Sequence, residues 1–123
     1  MIPKRRKPQR SGIKDDDGPL RCPAHLKWIR GHQCSVPARL VGGFQIPCGG
    51  RIEAAHVRTG TDGSMSKKPS DNFTIPLCMM HHKWQTDHGE AAFERMYGIS
   101  MTKIAEALAA KSPALMRLRN AKP

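Results

Sequence analysis

One pattern between Cys34 and His88 restricts the folds open to this chain more than any other feature. Cys34 and Cys48 precede Ala54-Ala55-His56-Val57. Asp71-Asn72 then leads into Ile75-Pro76-Leu77-Cys78, and Met79-Met80-His81-His82 follow. Two thiol-bearing elements bracket one isolated histidine, and the second ends in two adjacent histidines. A closed tetrahedral zinc site takes four ligands and prefers thiolate and imidazole. Cys78 and His81 stand at i, i+3, which share a face when a helix starts there. Cys34 and Cys48 make the other pair if Ser35 to Pro47 protrudes as a hairpin that leaves their sulfurs adjacent at its base. Cys22 competes with either of them, or is a small buried apolar residue at a helix start. The bland reading of the whole set is buried free thiols.

The bulk numbers suit a metal-supported domain. At 123 residues the chain is long enough for one domain and too short for two ordinary ones. Its 38% hydrophobic and 5% aromatic content, diluted by ten prolines and eleven glycines, makes a thin core that a structural metal would supplement. A formal charge of +11 suits a polyanion, most simply DNA or RNA. No run approaches the roughly 18 apolar residues of a membrane span, and the basic start Met1-Ile2-Pro3-Lys4-Arg5-Arg6-Lys7 lacks the apolar stretch of a signal peptide. The expectation is a reducing, cytoplasmic compartment, where four cysteines favour metal over two disulfides.

Residues 1–19 read as a disordered arm, basic at Lys4, Arg5, Arg6, Lys7 and Arg10 and acidic at Asp15-Asp16-Asp17. It either grips backbone phosphates or is a solvated leader. A single domain is expected over 20–111, then a basic tail over 112–123 carrying Arg117, Arg119 and Lys122. Cys22-Pro23 opens a short helix stopped by Gly31, with Leu26 and Ile29 facing the core. Cys34 to Val57 looks like a hairpin, its strand residues Val36, Leu40-Val41 and Phe44-Ile46, with Arg51-Ile52-Glu53 entering the second strand. Residues 58–70 form a long polar loop, and Pro76 argues against a continuous central strand after it. Helices follow from near Cys78 towards Thr86, from Glu90 to Tyr97 ended by Gly98, and from a Ser100 cap through Met101 to about Ala110, stopped by Ser112-Pro113.

Glu53-Ala54-Ala55-His56-Val57-Arg58, the glycine loop, Lys68-Pro69-Ser70-Asp71, Ile75-Pro76-Leu77-Cys78-x2-His81-His82 and Gln85-Thr86-x2-Gly89-Glu90 together resemble the HNH (ββα-metal) endonuclease superfamily. The likeness covers roughly residues 22–110. It is closest to the phage and prophage branch related to the RecA-dependent nuclease called Ref. The resemblance implies a small α+β fold, a ββα-metal (His-Me finger) core with a zinc-stabilised hairpin and flanking helices. It also implies one catalytic divalent cation, magnesium or manganese, and hydrolysis of DNA phosphodiesters.

Matched position by position, the resemblance makes His56 the general base, a role suited to imidazole because it titrates near neutrality. His82 becomes a ligand of the catalytic cation. Neighbours on a helix point about 100° apart, so His81 can serve the zinc while His82 faces elsewhere. Asn72 lies near the family's middle asparagine, which orients loop and base, and Asp71 can share that role; an Asx turn is the plain alternative. Two positions depart from the pattern. Ala55 stands where the family usually has a metal-binding Asp or His, and Thr86 where it often has a second helix histidine. His88 is the nearest substitute, useful only if the helix breaks at Thr86-Asp87; Asp62 or Glu53 would otherwise complete the shell, the ion keeping several waters.

Arg58, Lys67 and Lys68, with the basic termini, would hold the DNA backbone, giving affinity without sequence choice. Trp84 stacks on a base or, with so few aromatics, packs the core. Two other readings stay open: a zinc-stabilised nucleic-acid-binding module without catalysis, and a recombination accessory factor active only beside a recombinase filament.

Overall fold

The computed structural model describes residues 20–36, 46–59 and 68–121. The arm over 1–19, the hairpin residues Leu40, Val41 and Phe44, the loop residues Asp62 and Lys67, and Lys122 lie outside them. Seven elements follow one another: α1 (Pro23–Arg30), β1 (Ile52–His56), β2 (Thr74–Cys78), α2 (Met79–His88), α3 (Glu90–Tyr97), α4 (Met101–Lys111) and α5 (Pro113–Asn120). This is a small α+β arrangement of one two-stranded sheet and five helices among the described residues. None of these helices is long and apolar enough to cross a membrane.

The strands pair antiparallel in the register Ile52↔Cys78, Ala54↔Pro76, His56↔Thr74. The expected hairpin within Cys34–Val57 is therefore corrected. Its described parts before Ile52 are not strand, and β1 finds its partner beyond the 58–70 loop. Pro76 sits inside β2, a strand with one sheet partner among the described residues and so not a central one. A two-stranded sheet has no central strand, and residue 76 turns its backbone away from β1: its carbonyl accepts from Ser35 N and Oγ, both at 2.8 Å. The missing N–H thus falls on an outer edge, where proline is tolerated.

One face of the sheet supplies Ala55, Val57, Ile75 and Leu77 to the main core, completed by Val36, Phe93, Tyr97, Met101 and Ala105. Loss of a buried aromatic such as Phe93, fully enclosed here, typically costs about 3–5 kcal/mol. Trp84 is half-buried against this cluster, its ring 6.1 Å from Phe93 and 5.9 Å from Tyr97, so packing describes it.

Helix ends follow their local chemistry. Proline opens α1 after Cys22, and Gly31 ends it. Gly98 closes α3 at φ +64°, the left-handed conformation that glycine adopts without penalty. Ser100 Oγ caps α4 by accepting from Lys103 N. The expected tail over 112–123 is corrected: residues 113–120 form α5. Ser112-Pro113 ends α4 and also begins the next helix, since Ser112 Oγ accepts from Leu115 N and proline is at home in a first turn. Ala114 and Leu115 then bury against Cys22 in a second, smaller cluster. Cys22 is thus the small buried residue, apart from the other three cysteines.

Leu26 is only half-buried on α1, and His25 takes the core position beside Ile29. His25 is fully buried, its Nδ1 hydrogen-bonded to Ser112 Oγ at 2.7 Å. Burial, only partly opposed by the charge of Asp71, lowers its pKa to about 4. Between an ordinary value of 6.5 and about 4, the unfolded chain binds a proton that the folded chain refuses. Stability must fall as pH drops through that window, by roughly 3 kcal/mol in all. Urea titrations at pH 7 and pH 4.5 will show this loss in the parent and a smaller one in His25→Asn. Equal pH dependence in both would contradict the assignment.

Candidate functional site

Cys34, Cys48, Cys78 and His81 converge, their ligand atoms all within 4.8 Å of one another. Cys34 approaches on the segment leading to Val36, and Cys48 on the turn before β1. At that turn Gly50, at φ +80°, lies so close to α2 that an added Cβ would stand 2.7 Å from Met79 Cβ. Cys78 ends β2 and caps α2, accepting from His81 N at 3.4 Å. Gly49 N donates to the same sulfur at 3.5 Å.

The geometry fits a tetrahedral zinc ion. His81 Nδ1 lies 3.5 Å from Cys34 Sγ, 3.6 Å from Cys48 Sγ and 3.1 Å from Cys78 Sγ. Zn–S near 2.3 Å and Zn–N near 2.05 Å give an S···N edge of about 3.6 Å. The tautomer fits too. His81 Nε2 lies 2.9 Å from the Ile46 carbonyl, which can only accept, so Nε2 holds the ring proton and Nδ1 presents its lone pair to the sulfurs. Burial keeps His81 below the ordinary imidazole range, hence neutral.

The three thiols differ in how readily they ionise. Burial and then the charges of Cys34 and Cys78 push Cys48 up to about 12; the residue is exposed as a whole, but its sulfur turns into the cluster. Burial likewise pushes Cys34 up, whereas the His81 and Gly49 N–H groups outweigh burial at Cys78 and bring it down. A bound divalent ion inverts such a balance and ionises its thiols outright. Tyr97 stands edge-on to His81, ring centroids 5.1 Å apart. Burial pushes its hydroxyl up, only partly opposed by the backbone of Ile46, and the oxygen closes no hydrogen bond.

His56, at the end of β1, donates from Nε2 to Asp71 Oδ1 at 2.9 Å. Asp71 is buried and also accepts from Cys22 N at 2.7 Å and Arg21 Nη1 at 3.3 Å. These donors, His56 first, outweigh the cost of burial and hold the carboxyl below its usual range. The carboxylate fixes the His56 proton on Nε2 and leaves Nδ1 as the basic atom. Asp71 rather than Asn72 makes the contact to His56, and Asn72 is a half-buried turn residue beside it. Asp71 is not spent on an Asx turn; its backbone carbonyl takes the Thr74 hydroxyl at 2.9 Å.

His82 turns away from the sulfurs, as the helical phase requires, and its Nδ1 meets Glu53 Oε1 at 2.7 Å. Ala55, on the same strand face as Glu53, is wholly enclosed in the core. His56, of opposite parity, leaves the strand on the other side. His88, expected as a cation ligand, is not brought to His82. Helix α2 continues unbroken to residue 88, where His88 Nδ1 donates to the Trp84 carbonyl at 2.9 Å and its ring stacks on Trp84, centroids 4.0 Å apart. Among the described residues only the Cys34-Cys48-Cys78-His81 set gathers three or more metal-binding side chains.

Arg58 and Lys68 are exposed on the described ends of the long loop. Glu90, at the start of α3, anchors one end by accepting from Arg58 N at 2.6 Å, Thr59 N at 2.9 Å and the Thr59 hydroxyl at 2.7 Å. Arg21 ties the other, donating to the carbonyls of Pro69 at 2.6 Å and Lys68 at 3.1 Å. Sequence reasoning missed Arg21 and Glu90, most of whose partners are backbone groups that carry no residue-type signal. No curated protein and no solved structure matches the chain. A family model described as "Protein of unknown function (DUF968)" matches residues 17–115, a span that holds every cysteine and histidine here, and the chain belongs to that family.

Proposed function

We propose that this protein is a metal-dependent DNA endonuclease of the HNH (ββα-metal) type, hydrolysing phosphodiesters with little sequence preference. The observation that carries the reading is the His56–Asp71 pair at the mouth of the long loop. A carboxylate that holds one ring proton leaves the other nitrogen oriented to take a proton from water. The order β1, β2, α2, with β2 passing straight into the helix, supports it, as does the split of His81 and His82 between different partners.

His56 Nδ1 accepts the proton of a water whose oxygen attacks phosphorus; the P–O3′ bond breaks, and the departing oxygen is protonated from solvent. Asp71 keeps the imidazole in one tautomer and stabilises the imidazolium that forms. Arg58, Lys67 and Lys68 hold backbone phosphates, so binding weakens steeply with salt. A magnesium or manganese ion held by His82 would supply stabilisation of the negative charge that develops on the phosphoryl group. The zinc set bolts β2 and α2 to the turn before β1.

A second reading, a zinc-stabilised nucleic-acid-binding module, is favoured by how the residues fall: Ala55 is buried, His88, the substitute for a ligand at Thr86, rests on Trp84, and His56 leaves β1 on the face opposite Glu53, the partner of His82. Incubation of zinc-loaded protein with supercoiled plasmid and magnesium or manganese separates the two. Nicking by the parent that is lost in His56→Ala supports the enzyme. Plasmid retention with no nicking supports the module, and nicking that needs an added recombinase filament supports an accessory factor.

A further inference from the structure

We propose that Glu53 and His82 form a cation site of their own, in which a carboxylate oxygen and an imidazole nitrogen together favour manganese over magnesium. The proposal rests on the cation assigned above and supplies the protein donor that Ala55 cannot. Its basis is the 2.7 Å approach of Glu53 Oε1 to His82 Nδ1, made between a paired strand and the first turns of a helix. Two cis ligands of an octahedral ion at about 2.1 Å stand about 3.0 Å apart, so these atoms already lie near the required spacing. Arg51 Nη2 lies 3.1 Å from the other oxygen, Oε2.

Exposure separates this pair from the other carboxylate–histidine contact. The Glu53 and His82 side chains are 26% and 30% exposed, open enough to admit a hydrated ion. Asp71 is 2% exposed and already accepts from Cys22 N, Arg21 and His56, so it has no room for a hydrated ion. On binding, the His82 proton leaves Nδ1, moving to Nε2 through solvent, and the freed lone pair faces the ion. Water fills the remaining positions, as hard divalent ions accept. One nitrogen donor in the set suits manganese better than magnesium, which prefers oxygen throughout.

Zinc-loaded protein titrated with manganese, followed by the electron paramagnetic resonance of the free ion, tests this directly, with calorimetry for magnesium. One manganese per chain is expected, bound at least fivefold more tightly than magnesium. Glu53→Gln and His82→Gln should each weaken manganese binding at least tenfold, with zinc content and far-ultraviolet circular dichroism unchanged. The double variant should lose less than the sum of the two, because both side chains serve one ion. Should Glu53→Gln misfold, as its zinc content would report, His82→Gln carries the test alone. Unaltered manganese binding in the folded variants, or no site in the parent at millimolar manganese, overturns the proposal. A parent that binds manganese through Glu53 but never cuts DNA leaves this site standing and sinks the nuclease reading. Cutting that persists with manganese binding indifferent to Glu53 does the reverse.

Discussion

Chelating the ion from Cys34, Cys48, Cys78 and His81, or replacing Cys78 by alanine, will abolish the cooperative thermal transition or lower it by tens of degrees. Cys78 is the last residue of β2 and the cap of α2, and its sulfur also receives the Gly49 and His81 N–H groups. Without an ion, three sulfurs and a buried imidazole remain packed together with nothing to balance them. Apparent binding free energies of structural zinc reach about 10–16 kcal/mol in small fingers, as large as the whole stability of a typical domain, about 5–15 kcal/mol. Even a loss of several kcal/mol shifts a midpoint by on the order of 20 °C in a chain this short. Circular dichroism melts with and without a zinc chelator, beside elemental analysis of the purified protein, are the measurements. A melt indifferent to the chelator, with no zinc found, would remove the metal from the account.

His56→Ala will lower the rate of plasmid nicking by about 10²- to 10⁴-fold, the usual contribution of a positioned acid–base group, while leaving DNA retention on a gel close to that of the parent. The separation is expected because His56 is only slightly exposed against Asp71, whereas Arg58 and Lys68 lie on the surface. Asp71→Asn preserves the shape but reverses the logic of the pair, since an amide nitrogen can face Nε2 and shift the ring proton to the atom that must be basic. Its nicking should fall nearly as far as that of His56→Ala. It should also be less stable, because Asp71 accepts from Cys22 N and Arg21 as well. A full-rate His56→Ala would show that the cutting belongs to a contaminant or to another base.

The parts of the fold that could be read in advance are those written in local chemistry. Cys22-Pro23 and Gly31 bound α1, Gly98 ends α3, and Ser100 caps α4, because each acts within one turn of its own position. The convergence of these four side chains was also legible, since they are of the few types that suit a zinc site and Cys78 and His81 carry helical spacing. What could not be read depends on contacts between distant segments. Pro76 spoke against a central strand at Thr74–Cys78, but the pairing with β1, and the outer edge at that residue among the described residues, rest on a distant register. Ser112-Pro113 is both a stop and a start, and only burial of Leu115 against Cys22 decides that a helix follows. Asp71 and Asn72 are equivalent as turn residues in the sequence; the position of His56 chooses between them. His25 gave no sign of being internal, because its one hydrogen-bond partner, Ser112, lies at the far end of the chain.

The direct passage of β2 into α2 has one more consequence. No spacer separates the thiol of Cys78 from the two imidazoles that follow, so a single rotational phase aims His81 at the sulfurs and His82 at Glu53. Side chains at Met79 and Met80 are exposed and reach neither site. The count of residues there is not free to vary. One insertion or deletion would turn both rings through about 100°, and scaffold and chemistry would go out of alignment in the same stroke.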